Sequence, residues 1–142
     1  MATSAAISGL GVTLKRGDGA SSEAFAALAE LVDIAGPNMS RDVIDVTNHD
    51  NNASGFREFL GGLKDGGEIT LTVQFTYAGY NTAFTDFASD DTVNYQLVAP
   101  DTGETTWNLT ALITSLNTTF PLNDKVTHEM TLKLSGQPTL EA

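Results

Sequence analysis

The chain has 142 residues, 41% of them hydrophobic and 18% charged, which is enough for one globular domain with its own core. Its 18 acidic residues against 7 basic ones give a formal net charge of −11 at pH 7, and the acids are scattered along the sequence. Such a surface repels nucleic acid and anionic membranes, which argues against a conventional DNA-binding role. The lack of cysteine excludes disulfides, thiolate metal sites and a cysteine nucleophile.

The N-terminal stretch MATSAAISGLGVTLKRG lacks the basic start and the continuous apolar run of a signal peptide. No apolar stretch approaches the roughly 18 residues that are needed to span a bilayer. We therefore expect a protein that is made and used in a cytoplasm, or in a particle assembled there.

Two strands are predicted in the N-terminal part of the chain. Ser8 to Leu14 alternates, with Leu10, Val12 and Leu14 on one side, before a break at RGDGASSE. Arg41 to Thr47 is short and rich in β-branched residues, which favours a second strand.

The stretch FAALAELVDI, from Phe25 to Ile34, favours helix by propensity alone. We nevertheless expect a strand over Leu31–Gly36, because it is placed to pair with Ser40–Thr47 across the GPN turn.

The clearest strand pattern runs from Glu68 to Tyr77 and alternates without exception. Its apolar row consists of Ile69, Leu71, Val73, Phe75 and Tyr77. Its polar row consists of Glu68, Thr70, Thr72, Gln74 and Thr76. This alternation predicts a strand with the apolar row on the core and the polar row on the other face.

Three more strands are predicted in the C-terminal part. Val93 to Ala99 alternates until Pro100, and APDTGETT then forms a hairpin turn. In the next strand one face carries Trp107, Leu109, Ala111 and Ile113, whereas Leu116 and Phe120 have the opposite parity. This change predicts a β-bulge near Leu112–Ser115. The last strand, Val126 to Leu134, directs Val126, Met130, Leu132 and Leu134 inwards.

One helix is predicted between these strands. Tyr80, Ala83, Phe84 and Phe87 follow the spacing i, i+3, i+4, i+7, between Gly79 and SDD. We expect this aromatic stripe to pack on the core.

The segment His49 to Gly67 has no consistent period, and we expect a long loop there. It carries four large hydrophobic residues: Phe56, Phe59, Leu60 and Leu63. Apolar side chains of this kind must be buried either on their own domain or on another copy.

No residues form a convincing catalytic or metal site. His49 with Asp50 has no further ligands or nucleophile at a supporting spacing, and HDNNASG lacks the ligand alternation of a calcium loop. His128 stands at a core position of its strand, so we expect a partly buried histidine whose hydrogen bonds are satisfied. Glu68 and Glu129 lie on polar strand faces, where solvated charge is the ordinary explanation. We expect no enzyme activity and no cofactor.

The order and spacing of three stretches resemble the major tail tube proteins of long, non-contractile-tailed phages. These stretches are VDIAGPNMSRDVIDVTNHD, GFREFLGGLKDGGEITLTVQF and, after a short aromatic helix, NYQLVAPDTGETTWNLTALITSLNTTFPLNDKVTHEMTLKLSGQPTL. The resemblance covers Leu31 to Leu140. Its more specific pieces are Asp45–Thr47, Gly55–Gly67 and Thr127–Pro138.

This resemblance implies a mainly β fold: a two-sheet β-sandwich with one flanking helix, formed by residues 1–142 as a single domain. Residues 1–24 would form an N-terminal arm and strand. Six copies would close into a ring whose inner sheets join into a continuous barrel, and rings would stack into the tail tube of a virion assembled in the host bacterial cytoplasm. Tape measure and tail terminator proteins would be partners, and DNA would pass through the tube without specific binding.

Two groups of residues have expected roles in such a tube. Subunit or ring contacts are expected from the loop 49–67 at Phe56, Arg57, Phe59, Leu60, Leu63, Lys64 and Asp65. A lumen-facing position is expected for Glu68, Thr70, Thr72, Gln74, Thr127, Glu129 and Thr131. A wall that grips DNA would carry lysine and arginine at these places, matched to phosphate.

Two alternatives remain at this stage. A monomeric β-sandwich that binds carbohydrate would need exposed aromatic platforms, whereas Trp107 lies on the apolar side of its strand. A tube subunit of a contractile or secretion-type machine is the second alternative. The sequence does not distinguish a virion from a gene-transfer particle or a bacteriocin.

Overall fold

The computed structural model describes residues 6–20, 22–28, 31–48 and 55–141. These residues form ten strands and one helix. The elements are β1 (Thr13–Gly17), β2 (Phe25–Ala27), β3 (Leu31–Ala35), β4 (Ser40–Asp45), β5 (Phe59–Asp65), β6 (Glu68–Gln74), α1 (Tyr77–Ala88), β7 (Val93–Val98), β8 (Thr106–Thr119), β9 (Thr127–Leu134) and β10 (Thr139–Glu141).

Eight strands form one antiparallel sheet in the order β2-β1-β7-β8-β9-β6-β3, with β10 also on β8. Strand β8 has 14 residues and joins the two halves of this sheet, because residues 106–111 pair with β7 and residues 111–119 pair with β9. Strands β4 and β5 form a separate two-stranded sheet. The expected mainly β fold, with two sheets and one helix, is confirmed.

A β-bulge lies where it was predicted. Ile113 stands opposite Leu132 and Ser115 opposite Thr131, so the register between β8 and β9 shifts by one residue. Beyond the bulge Leu116 packs against the core, as its changed parity requires.

The core is formed by the apolar rows of the central strands and one residue of the helix. Its buried members are Leu14, Ile69, Leu71, Val73, Ala83, Tyr95, Leu97, Leu109, Ala111, Ile113, Met130, Leu132 and Leu134. The predicted inward faces are therefore confirmed for these core residues of β6, β7, β8 and β9. They are wrong for Phe75, which is 37% exposed, and for Val126, which is not part of the core. Each fully buried leucine or isoleucine stabilises the fold by roughly 1.5–3 kcal/mol relative to an exposed one.

The strand predicted to run to Tyr77 ends earlier, and a helix begins in its place. Thr76 adopts an extended conformation, and its hydroxyl oxygen accepts a hydrogen bond from the Gly79 N–H at 3.2 Å. This is an N-cap, which satisfies one of the amides left free at a helix start. Tyr77 thus opens α1 and is 80% exposed, so its predicted place on the apolar strand face is wrong.

Helix α1 is confirmed, but the prediction that its aromatic stripe packs on the core is wrong for two residues. Ala83 and Asp86 are the buried residues of the helix, whereas Phe84 and Phe87 are 55% and 48% exposed. The reason is an ion pair: Asp86 faces inwards to meet Arg16 of β1, which rotates the phenylalanines outwards.

The first strand begins later than predicted. Strand β1 starts at Thr13, opposite Val98 at the end of β7, and Leu10 is exposed. Since Pro100 follows soon after β7 and cannot donate a ladder hydrogen bond, residues 8–12 have no strand to pair with. They form a turn instead, in which Val12 N–H donates to the Gly9 carbonyl.

The strand predicted at 31–36 is confirmed as β3, but its predicted pairing with 40–47 is wrong. Strand β3 pairs with β6, and β4 pairs with β5. Gly36 has φ +119° and lies so close to β6 that a Cβ there would stand 2.5 Å from the Glu68 carbonyl oxygen. The chain therefore passes along β6 at this turn, where the Asn38 N–H donates to the same carbonyl, and leaves the sheet as β4.

Candidate assembly surfaces

The second half of the predicted loop 49–67 is strand β5, so the prediction of a loop is wrong for residues 59–65. Two features break the alternating sequence pattern by which this strand could have been recognised. A register shift between Arg41 and Val43 changes the parity of its side chains. Gly61 and Gly62 also interrupt the apolar row, and Gly61 leaves room for the side chain of Arg41. Residues 49–54, which include His49, lie outside the described part of the chain.

Strands β4 and β5, together with residues 55–58, form a ribbon that carries most of the predicted interface residues. Ile44 lies opposite Leu60, and Asp45 lies opposite Phe59 on the other face of the ribbon. Each of the large apolar residues here exposes more than half of its surface: Val43, Ile44, Phe56, Phe59, Leu60 and Leu63. Within the described residues, β4 and β5 make extended contacts only with each other. An apolar surface on both faces of a ribbon is typical of a protein interface.

The ribbon carries both basic and acidic residues, with Asp42, Asp45, Glu58 and Asp65 beside its three bases. Arg41 stands directly opposite Lys64, although like charges at such positions destabilise a strand pair. Arg57 lies near Asp45, whose pKa is lowered mainly by hydrogen bonds from Thr47 and also by the charge of Arg57. Three of the seven basic residues of the chain are therefore on the ribbon.

Asp65, also predicted as an interface residue, is bound within its own chain. The Gly67 N–H donates to its carboxylate at 2.9 Å, and Lys133 Nζ of β9 donates to both oxygens at 2.9 Å. The Gly67 hydrogen bond, and then Lys133, lower the pKa of this carboxyl group. The contact joins the base of the ribbon to the main sheet.

The polar rows of β6 and β9 lie on one face of the sheet, because their residues are direct cross-strand partners. The pairs are Glu68 with Lys133, Thr70 with Thr131, Thr72 with Glu129, and Gln74 with Thr127. All seven residues predicted to face a lumen are therefore brought together.

This polar face is wider than the sequence patterns indicate. Ser115, Asn117 and Thr119 of β8 stand opposite members of the β9 row, and Asp33 of β3 stands opposite Thr72. The alternation of β8 alone does not reveal Ser115, Asn117 and Thr119. The bulge before them changes which sequence positions face this side of the sheet. The polar alternation of Ser115, Asn117 and Thr119 after the bulge is the signal that points to them.

The four strands that carry this polar face have two unpaired edges. One edge is β3, which pairs only with β6. The other is the outer side of residues 112–119 of β8, because β7 pairs with β8 only as far as Ala111. Within the described residues, no strand covers either edge. Such edges are templates for pairing with another chain.

A cluster of aromatic rings covers the N-terminal end of β9. His128 is 1% exposed, and its ring makes edge contacts with Tyr80 and Phe75 at centroid distances of 5.6 and 6.3 Å. It is more deeply buried than predicted, and its Nδ1 atom, predicted to be satisfied, has no hydrogen-bond partner among the described residues. Burial lowers the pKa of His128.

Helix α1 is fixed to the sheet by a charged contact. Arg16 Nε and an Arg16 Nη atom donate to the two oxygens of Asp86, each at 2.6 Å. Burial, and then the nearby charge of Asp86, raises the pKa of Tyr95 to about 12. This bidentate pair determines which face of α1 points outwards.

The described residues hold no group of three or more histidine, cysteine, aspartate or glutamate side chains that could bind a metal ion. Glu68 and Glu129, considered above as a carboxylate pair, are not cross-strand partners of each other. No helix in the described part of the chain is both long and apolar enough to cross a membrane.

Comparison with known proteins gives one family and several related structures. The family model described as lambda phage tail tube protein matches residues 13–141. No curated protein matches the sequence.

Three solved structures illustrate the structural likeness. The tail of an empty gene transfer agent (GTA) particle, refined with C6 symmetry, has a TM-score of 0.77 at 24% identity, covering 96% of this chain and 100% of that chain. A chain of the native GTA virion has a TM-score of 0.74 at 22% identity, with the same coverage. The cap that terminates the tube of the anti-feeding prophage has a TM-score of 0.75 at 17% identity, covering 99% and 94%. At these identities the likeness shows a shared fold.

Proposed function

Because the chain belongs to the lambda phage tail tube protein family, it is a structural tail tube protein, and we propose that it forms hexameric rings that stack into a tube for the passage of DNA. The observation that carries this proposal is the four-strand half of the sheet, which is polar on one face, apolar on the other and free at both edges.

Ring closure follows from the two free edges. The outer side of residues 112–119 of β8 in one copy pairs with β3 of the next copy. Such a head-to-tail contact uses two different surfaces, and it forms a ring when the rotation closes. The C6 symmetry described for the GTA tail supports six copies per ring. Six copies with four strands each give a barrel of 24 strands (6 × 4), in which no edge remains open.

The polar face of β3, β6, β8 and β9 lines the lumen of this barrel, since the opposite face is the core of the subunit. Its hydroxyl and amide side chains offer no pattern of cations to phosphate. Lys133 is held by Asp65, so Asp33, Glu68 and Glu129 determine the charge of the face. Six copies at −11 carry −66 formal charges per ring (6 × −11). At physiological salt, the acidic residues of the wall repel DNA that passes within about 8 Å of them.

Contacts between copies come from the ribbon, at Phe56, Arg57, Phe59, Leu60, Leu63 and Lys64. Their side chains are exposed, and the polymer provides the surface that buries the apolar ones. Asp65 supports the ribbon from its base through Lys133.

In this proposal the protein belongs to the tail of a virion or a related particle and is assembled in the host cytoplasm. A tape measure protein fills the tube during assembly, and a terminator protein ends it. The protein has a structural role and no enzymatic one. A monomeric carbohydrate-binding module is not supported, because Trp107 packs against the core.

A second candidate is the tube of a contractile machine, since structures of that kind share the fold. One of them is a sheath–tube complex of an extracellular contractile injection system, with a TM-score of 0.66 at 17% identity, covering 92% of this chain and 88% of that chain. The family match favours the non-contractile tail. A search of the producing genome region for a sheath protein distinguishes the two.

Electron microscopy of the purified chain tests the proposal. We expect rings or tubes of uniform width with six-fold symmetry. A chain that stays monomeric at all accessible concentrations, with and without the particle's initiator proteins, contradicts the proposal.

The lumen assignment has its own test in Glu68→Lys with Glu129→Lys. The change replaces twelve negative charges per ring with twelve positive ones (2 × 6), without removing a proposed subunit contact. Tubes should assemble, but particles that carry them should release DNA slowly or not at all, because the wall now attracts phosphate. Normal triggered DNA release from intact double-mutant tails contradicts the lumen assignment.

A further inference from the structure

An open cleft of about 670 Å³ lies between the base of the ribbon and the segment that follows β9. Its apolar lining includes Met39, Leu134 and Pro138. Its charged lining consists of Arg41, Lys64 and Asp65. A volume of this size is within the range of protein binding sites, so the cleft is large enough to receive part of another chain.

The charges that line the cleft are not balanced. Asp65 is bound to Lys133 through both of its oxygens. Arg41 and Lys64 are cross-strand neighbours, and neither takes part in an ion pair within the described residues. The other acids of the ribbon do not line the cleft: Asp42, Asp45 and Glu58. An acidic group inside the cleft therefore reduces the repulsion between its two cations.

The opposite end of β9 carries an exposed apolar turn, formed by residues 120–126 between β8 and β9. Leu122 is 97% exposed there, more than any other large hydrophobic residue in the described part of the chain. The ring of Phe120 contacts the ring of Phe75 at a centroid distance of 6.3 Å, and Pro121 restricts the backbone beside it. The turn thus has a fixed base and a projecting apolar tip, with one acid, Asp124, two residues beyond Leu122.

The turn cannot enter the cleft of its own chain, because strand β9 separates the two. This strand has 8 residues and is roughly 26 Å long at about 3.3 Å per residue. A contact between surfaces at opposite ends of a subunit is head-to-tail, and it continues along an axis when it does not close into a ring. Such a contact stacks copies, whereas the free edges of β3 and β8 join copies around the ring.

We propose that the turn 120–126 of a copy in one ring inserts Leu122 into the cleft of a copy in the next ring. Leu122 then contacts the apolar lining of the cleft, and the carboxylate of Asp124 faces Arg41 and Lys64. The proposal rests on the proposed function, since it names the surfaces through which successive rings bind each other.

Lys125 does not oppose this arrangement. It follows Asp124 directly, and its backbone N–H donates to the Asp124 carboxylate at 2.7 Å. Its ammonium group has a counter-charge in the cleft, because the side chain of Asp65 remains 55% exposed although it binds Lys133. Turn and cleft therefore each carry both signs of charge.

Disulfide cross-linking gives a direct test, because the chain has no cysteine of its own. A chain with Leu122→Cys and Gln137→Cys is assembled and oxidised, since Gln137 is exposed and lines the cleft. We expect covalently linked copies in at least about tenfold higher yield than with Leu122→Cys and Gly103→Cys, because only docked positions have a high effective concentration. Gly103 is a matched control, with open space around it in the turn between β7 and β8.

Leu122→Ser separates stacking from ring closure. The side chain is exposed in the monomer, so the melting temperature should stay close to that of the wild type. Tubes should need an at least about tenfold higher protein concentration, because the apolar tip no longer fills the cleft. Single rings should still form, since the free edges of β3 and β8 are unchanged. Sedimentation velocity and electron microscopy measure both.

A charge exchange gives an independent test. Asp124→Lys should raise the critical concentration for tubes at least about tenfold, because like charges then face each other. Arg41→Glu with Lys64→Glu should have the same effect. All three changes in one chain should restore assembly, which damage to folding does not explain. Asp91→Lys makes the same charge change outside the contact and should leave the critical concentration unchanged.

The outcomes separate this inference from the function. Tubes of the Leu122→Cys, Gln137→Cys chain that give no more linked product than the control overturn the docking and assign the cleft to another occupant. Leu122→Ser also overturns it if tubes form as in the wild type, or if rings are lost together with tubes. Failure of the triple charge variant to assemble has the same meaning. If the wild-type chain forms neither rings nor tubes, the proposed function fails and the docking fails with it.

Discussion

The strand pairs β6–β9 and β4–β5 differ sharply, although β5 leads into β6 with only two residues between them. In β6–β9 one face is buried and the other is polar, so the pair is complete within one chain. In β4–β5 apolar residues are exposed on both faces. The first pair stabilises the subunit, and we propose that the second forms contacts between copies in the polymer. The following predictions test that division, from the largest expected loss of monomer stability to the smallest.

The largest effect is expected in β6, at Val73, which is 5% exposed. Val73→Asp buries a carboxylate without a partner, which costs several kcal/mol of the roughly 5–15 kcal/mol that stabilise a domain. Thr72→Asp, on the polar face next to it, should leave the chain folded. Urea denaturation measures both. Equal damage from the two changes means that β6 is buried on both faces.

The next effect concerns the contact that orients α1. Arg16→Leu leaves the Asp86 carboxylate buried and unpaired, and we expect a loss of about 3 kcal/mol in the free energy of unfolding. Arg16→Leu with Asp86→Leu should recover most of this loss, because the buried charge is gone. If the single change has no effect on the urea midpoint, the ion pair does not fix the helix.

Much of β6–β9 is predictable from the sequence, because strict alternation determines which residues face the core. Strand β5 of the ribbon was not predictable, because a register shift and two glycines break its alternation. The orientation of α1 was not predictable for another reason. Its aromatic spacing predicts a buried stripe, and only the position of Arg16, 70 residues earlier in the chain, shows that Asp86 faces inwards.

A smaller and pH-dependent effect is expected at His128. Burial lowers its pKa in the folded state, so the unfolded chain binds the proton more strongly. As far as His128 is concerned, the free energy of unfolding is therefore highest above about pH 6.5, which is the pKa of histidine in the unfolded chain. It falls as the pH drops below that value. Thermal melts between pH 8 and pH 5 measure this slope. In His128→Phe the dependence of melting temperature on pH should be shallower. An unchanged dependence means that other titratable groups cause it.

The smallest effect on the monomer is expected in the ribbon. Phe59→Ser with Leu63→Ser removes exposed side chains, so the melting temperature should stay close to that of the wild type. Assembly should nevertheless be abolished, as sedimentation velocity will show. If the variant loses its cooperative thermal transition, these residues belong to the core of the monomer and the division between the two strand pairs is wrong.

The central claim is that the face shared by β3, β6, β8 and β9 becomes the inner wall of a six-fold tube. A cryo-electron microscopy reconstruction of tubes assembled from the wild-type chain tests it most directly. We predict that β3 of one copy pairs with residues 112–119 of the next, and that Thr70, Thr72, Glu129 and Thr131 face the lumen. A tube in which these four side chains lie on the outer surface, or in which β3 remains unpaired, contradicts it.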